Sequence, residues 1–241
     1  MIASRDAELS LIEHLEELRR RLFVAAAAVL VATAFAFLFS EQIIRFLLVP
    51  SGVEKCIALS PTENFTTFMR VSLFAGIAAA MPVVLYELFA YVDPALTPKE
   101  RRFTIILGPF VLALFLTGMA FCYFLLLPNA LRFLLNFGSA VIDNQLRCSE
   151  YLSFVTTFVL GMGLVFEVPA IMFGAIRVGV VRRARLAGLR RYVFLAAFVI
   201  AAVLTPTPDP FNQTLVALPL YVLFEVGLLL GRFAERSRAA A

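Results

Sequence analysis

Long apolar runs constrain this chain more than any other feature. They recur at residues 22–39, 65–92, 103–127, 151–176, 192–204 and 211–230. A helix crossing the hydrocarbon core of a bilayer needs ~20 apolar residues, so these runs read as six membrane spans. Charged residues make up only 16% of the 241, against roughly 25% in soluble domains. A soluble globular domain and a disordered chain are both excluded. The segments between runs are short, so residues 1–241 read as one polytopic membrane domain of all-α class.

The basic residues predict orientation. Sixteen of the 21 Lys and Arg fall in the N-terminal tail, the hairpin 93–102 (DPALTPKERR), the loop 177–191 and the C-terminal tail. Cytoplasmic segments carry such an excess, so both termini are expected in the cytoplasm, as six spans require. The loops 40–64 and 128–150 are then periplasmic. The first 21 residues are charged and amphipathic, unlike a cleavable signal. The fifth span has 13 residues and would rise only ~20 Å, less than the ~30 Å core. Asn212, Gln213 and Thr214 shorten the apolar part of the sixth. Helices five and six are therefore expected to be short, under a thinned or covered patch of membrane.

Few residues could carry chemistry. One His and three Cys are too few for a zinc or di-iron centre. No HExxH, G-x-S-x-G or GxxxxGK[ST] motif is present, and no intramembrane aspartate pair. The sequence predicts neither an enzyme nor a resident cofactor or metal, and the net charge of +4 reads as topology rather than nucleic-acid binding. Residues 10–21 read as an amphipathic cytoplasmic helix, with Ser10 and Glu13 in capping-box spacing and Glu17 four residues before Arg21. Glu167 stands in mid-span beside Pro169; an ionisable group there is a functional candidate by default, or else a carboxylic acid that pins two helices. Glu87 is expected at the cytoplasmic interface, and Glu225 only in packing. Cys56 and Cys148 both fall in the predicted periplasmic loops, where thiols are oxidised. They are a candidate disulfide, but spacing leaves bonded and free forms open. Cys122 reads as an apolar filler.

Four stretches carry a likeness: IEHLEELRRRL; SPTENFTTFMRVSLFAGIAAAMPVVLYELFAYVDPALTPKERR; YLSF…FEVP; and TPTPDPFNQT…LPLYVLFEVG. In order and spacing they resemble the C subunit of the twin-arginine protein translocase (the TatC family), from about Leu11 to Arg232. The resemblance implies a cup-shaped bacterial inner-membrane receptor for folded precursors whose signal peptides carry paired arginines. Export would be driven by the proton-motive force. It maps signal recognition to Glu17 and Arg19 and to Tyr91, Glu100 and Arg101. Glu167 becomes the intramembrane polar group of the concave face. Thr205 and Gln213 become docking residues for single-span partner subunits of the A and B types, in a complex holding several copies of this chain within membrane lipid.

Paired carboxylates suit this role, because a guanidinium fork matches a carboxylate in a way lysine cannot. The competing reading is a proton-coupled small-solute transporter using Glu87 and Glu167 beside proline kinks. It lacks the internal repeat of many carriers, and most charges sit at span ends.

Overall fold

The computed structural model describes residues 11–53, 55–92, 98–136, 145–205 and 210–239; the side chains of 11–12, 92, 98–107, 234 and 236–239 lie outside that description. Ser10 of the expected capping box falls outside it too. Among the described residues ten α-helices follow in order: α1 (Leu11–Leu38), α2 (Ser40–Leu48), α3 (Pro61–Val92), α4 (Pro98–Phe121), α5 (Leu127–Asn136), α6 (Cys148–Val165), α7 (Val168–Val178), α8 (Arg183–Gly188), α9 (Arg190–Leu204) and α10 (Pro210–Ala239). Among the described residues β pairing is confined to one isolated bridge, Ile57 with Arg147.

Among the described residues five stretches are long and apolar enough to cross a bilayer: Glu13–Leu38, Pro61–Tyr91, Gly108–Asn136, Cys148–Val178 and Pro210–Phe233. The run at 192–204 lies in α9, whose 15 residues rise only about 22 Å. It falls short of that length, as the short fifth helix expected from the sequence would.

Several boundaries differ from the sequence reading. The amphipathic segment is not a separate helix; it is the first three turns of α1, which runs unbroken into the first span. The expected loop 40–64 contains α2. Its last carbonyls are capped from afar, by the Tyr123 hydroxyl on Phe46 O at 2.7 Å and the Tyr151 hydroxyl on Leu47 O at 2.8 Å. A helix end left with such orphan groups needs partners of this kind. The expected loop 128–150 contains α5, joined to α4 by a π turn at Cys122–Leu126. Pro128 has no N–H to offer the carbonyl four residues back; the ladder widens instead, and Leu127 N–H bonds Cys122 O. The fourth apolar run breaks at Phe166 and Glu167 for a like reason, since Pro169 opens α7. The tight step there is closed by Glu167 N–H on Leu164 O at 3.1 Å.

α6 is the hub. Leu152, Val155, Phe158 and Met162 are fully buried among Leu126 and Leu127, Ala197 and Ala201 of α9, and Val216 of α10. α10 also packs on α7 through Met172, Phe224 and Leu228. An apolar concavity of about 520 Å³ lies between α2, α3, α4 and α6, lined by Phe46, Phe74, Ala78, Met119, Tyr123 and Thr156 among others.

α1 stands at the edge, with only 6% of its apolar window buried. Leu22, Phe23, Leu30, Val31, Phe35 and Leu38 are exposed, as suits lipid contact. Its main neighbour is α3, and the two meet where Gly76 lies against Thr33. A Cβ at Gly76 would collide with the Thr33 backbone, so a small residue sets the closeness of this crossing. Gly76→Ala is expected to destabilise the detergent-solubilised protein by about 1–3 kcal/mol, the usual cost of overpacking. Gly174→Ala, with nothing within 4 Å of the added Cβ, is expected to raise stability by up to about 1 kcal/mol through helix propensity. A thermal melt of the two variants checks both signs.

Candidate functional site

α1 and α3 run antiparallel, so the start of one meets the end of the other. His14, Glu17 and Arg21 recur at helical spacing along one face of α1, and Glu87 and Tyr91 sit four apart on α3. The two stripes meet. The His14 ring stacks on Tyr91 with centroids 4.5 Å apart. Arg21 donates Nε and Nη2 to Glu17 Oε1 at 3.0 and 2.6 Å, and Nη1 to Glu87 Oε2 at 3.1 Å. All three side chains are about a quarter exposed or less. One guanidinium thus occupies two carboxylates, one four residues away on α1 and one 66 residues away on α3.

Of the residues singled out for signal recognition, Glu17 and Tyr91 come together at this end. Arg19 points elsewhere, pairing with Glu16 at 3.4 Å on the exposed face. The side chains of Glu100 and Arg101 lie outside the described residues; the backbone of both belongs to the first turns of α4. Glu87, expected only at the cytoplasmic interface, is a member of this cluster that the signal-recognition set lacks. Its i, i+4 register with Tyr91 could have found it.

Glu167 lies at the α6–α7 break, 5% exposed. Neither of its carboxyl oxygens has a hydrogen-bond partner, so the helix-pinning acid is not what the geometry contains. Thr205 and Gln213 are engaged within the chain. The Thr205 hydroxyl donates to Ala201 O at 2.9 Å. Gln213 Nε2 donates to Phe198 O at 3.0 Å, tying α10 to α9. Glu225 does more than pack: it accepts from Arg190 at 2.8 Å and from the Tyr221 hydroxyl at 3.1 Å. Among the described residues no three His, Cys, Asp or Glu side chains are grouped to hold a metal.

The opposite end is stapled. Cys56 and Cys148 are bonded, with Cα atoms 5.0 Å apart. Beside them Ile57 bonds the residues on either side of its bridge partner Arg147, Ile57 N–H to Leu146 O and Cys148 N–H to Ile57 O, both 2.9 Å. Glu63, buried in the first turn of α3, gathers the ends of both segments. It accepts from Leu59 N–H at 2.9 Å, Ser149 N–H at 3.2 Å and Arg147 Nε at 3.1 Å. The carboxylates of Glu63 and Glu150 hold the Arg147 guanidinium above its ordinary pKa. No motif spacing points to this clamp, because its partners are 84 and 86 residues apart.

The buried Glu63 carboxylate serves three donors at once, and its loss leaves them without that partner. Glu63→Gln is therefore expected to lower the melting temperature far more than Glu41→Gln, which removes only the exposed pair with Arg45. Reduction of the disulfide should lower it further. Closing a loop of this length stabilises by about 4.6 kcal/mol in the chain-entropy account, so melts with and without reductant measure the staple.

Comparison with known proteins bears on what these sites serve. Residues 13–219 match the family described as Sec-independent protein translocase protein (TatC). The TatC protein of Carboxydothermus hydrogenoformans is 32% identical over 232 residues, covering 95% of this chain and 96% of that one. The chloroplastic TATC protein of Arabidopsis thaliana is 41% identical, covering 96% and 68%. A crystal structure of a twin-arginine translocase receptor, TatC, superposes with a TM-score of 0.83 at 37% identity, covering 92% of this chain and all of that one. With the fold shared and the family match running over residues 13–219, this multi-pass membrane protein belongs to the Sec-independent protein translocase (TatC) family.

Proposed function

We propose that this chain is the receptor subunit of a twin-arginine translocase in a bacterial inner membrane, with both termini in the cytoplasm. The observation that carries this reading is the cluster at one end of the α1–α3 pair, where His14 stacks on Tyr91 and Arg21 joins Glu17 to Glu87, the end from which the chain leads into Glu100 and Arg101. A carboxylate pair there suits two adjacent guanidinium groups, which bind carboxylate as a fork. Glu17 and Glu100 receive the arginine pair of the signal peptide, with Arg19, Tyr91 and Arg101 around them. The rest of the signal runs along the concave face of a cup-shaped receptor toward Glu167.

α9 and α10 complete a six-helix arrangement, in which α9 crosses a locally thinned bilayer. Single-span partner subunits of the A and B types dock along these two helices, near Thr205 and Gln213. Passage of a folded protein cannot be enclosed by one copy of this chain, so several copies and their partners assemble. The proton-motive force drives transport, as membership of the family implies.

Binding of an Arg-Arg signal peptide to the solubilised protein tests the reading, with a Lys-Lys peptide and Glu100→Ala as controls. The arginine peptide is expected to bind at least tenfold tighter, about 1.4 kcal/mol, and to lose that preference in the variant. Equal binding of the lysine peptide would overturn it.

Glu167 offers a second check. A buried carboxyl without partners costs about 1–3 kcal/mol. Glu167→Leu is expected to raise the melting temperature while lowering the export rate of a reporter precursor in cells. Export at the normal rate would remove Glu167 from the mechanism.

A further inference from the structure

The end that holds Glu17 is not vacant: it already binds a guanidinium. Arg21 spans the gap between Glu17 on α1 and Glu87 on α3, with three N–H donors shared between the two carboxylates at 2.6–3.1 Å. The contact is selective for a fork. Nε and Nη2 converge on one oxygen of Glu17, while Nη1 turns to Glu87. A lysine ammonium at the same place is a single point and cannot span both partners in this way. The cluster is also partly withdrawn from water, with the Glu87 side chain 15% exposed and the other two 22–24%. A charge pair there is worth more than one on an open surface.

We propose that Glu87 is a further signal-binding carboxylate, and that Arg21 is an internal occupant of the Glu17–Glu87 pair which an arginine of the signal peptide displaces. This rests on the receptor reading above and deepens it. The exchange conserves charge: one guanidinium leaves the two carboxylates and another enters, so neither Glu17 nor Glu87 is left buried and unpaired. Arg21 lies at the start of the first apolar run, where its long stem allows the head to reach the polar layer of the membrane. The device excludes a lysine-bearing peptide twice over, since such a peptide must break a three-donor contact and can restore only part of it. It also explains why α1 carries an arginine rather than a neutral residue where its carboxylate faces α3.

The test is peptide affinity in the full-length solubilised protein, read for wild type, Arg21→Gln, Arg21→Lys and Glu87→Gln, each checked by thermal melt. Removing the internal competitor is expected to tighten Arg-Arg peptide binding about fivefold in Arg21→Gln, the effect of an ion pair of this exposure. A smaller gain is expected in Arg21→Lys. Glu87→Gln is expected to weaken the same peptide by a similar factor. If Arg21 only ties α1 to α3, Arg21→Gln will bind no tighter than wild type, and the proposal falls. Unchanged binding in Glu87→Gln removes Glu87 from the site and also overturns it. Should Arg21→Gln fail to fold, Arg21→Lys decides: tighter binding than wild type supports the exchange, and equal or weaker binding overturns it. Loss of the Arg-Arg over Lys-Lys preference in wild type itself would instead mark failure of the receptor reading.

Discussion

Hydrocarbon offers a backbone no hydrogen bonds, so every N–H and C=O in the spans of this chain must find a partner within the protein. The irregular points of the fold are all answers to that demand. Pro128 denies a carbonyl its donor, and the helix widens into a π turn in which Leu127 bonds Cys122. Pro169 does the same to the fourth apolar run, which breaks and restarts as α7. The end of α2 would leave carbonyls unpaired, and two tyrosine hydroxyls from distant helices reach it. α6 lies at the centre because it packs against the helices that border these irregular points.

The same constraint drives charge to the ends of the helices, where it does different work at each. At one end a disulfide, a bridge and the Glu63–Arg147 pair lock the segments before α3 and α6 together. Glu63 there satisfies three donors at once, which suits a structural role. At the other end the carboxylates of Glu17 and Glu87 hold one arginine, and a guanidinium can be exchanged for another. A rigid end and an exchangeable end are what a receptor anchored in a membrane requires. α1, which carries half of the exchangeable site, also packs closely on α3 at the Gly76–Thr33 crossing.

Glu167 stands apart from both ends. It is buried without a hydrogen-bond partner at the one place where the fourth apolar run is broken. Well-packed apolar residues would be more stable there, so its presence is a cost to stability that fits a functional role.

Much of this was legible in the residues. Burial in hydrocarbon is a local requirement, met or failed by each run on its own, so the apolar runs, the all-α class and the gathering of charge at their ends follow from one dimension of information. The pairing of Glu17 with Arg21 follows as well, since it rests on helical spacing alone. The amphipathic helices α2 and α5 were hidden inside loops because their polar faces dilute any hydropathy signal. The meeting of Arg21 with Glu87, the capture of Arg147 by Glu63, and the inward use of Gln213 were decided only by tertiary structure. Each joins groups from different segments of the chain, up to 84 residues apart, and such contacts depend on how those segments pack together, a choice that no single segment contains.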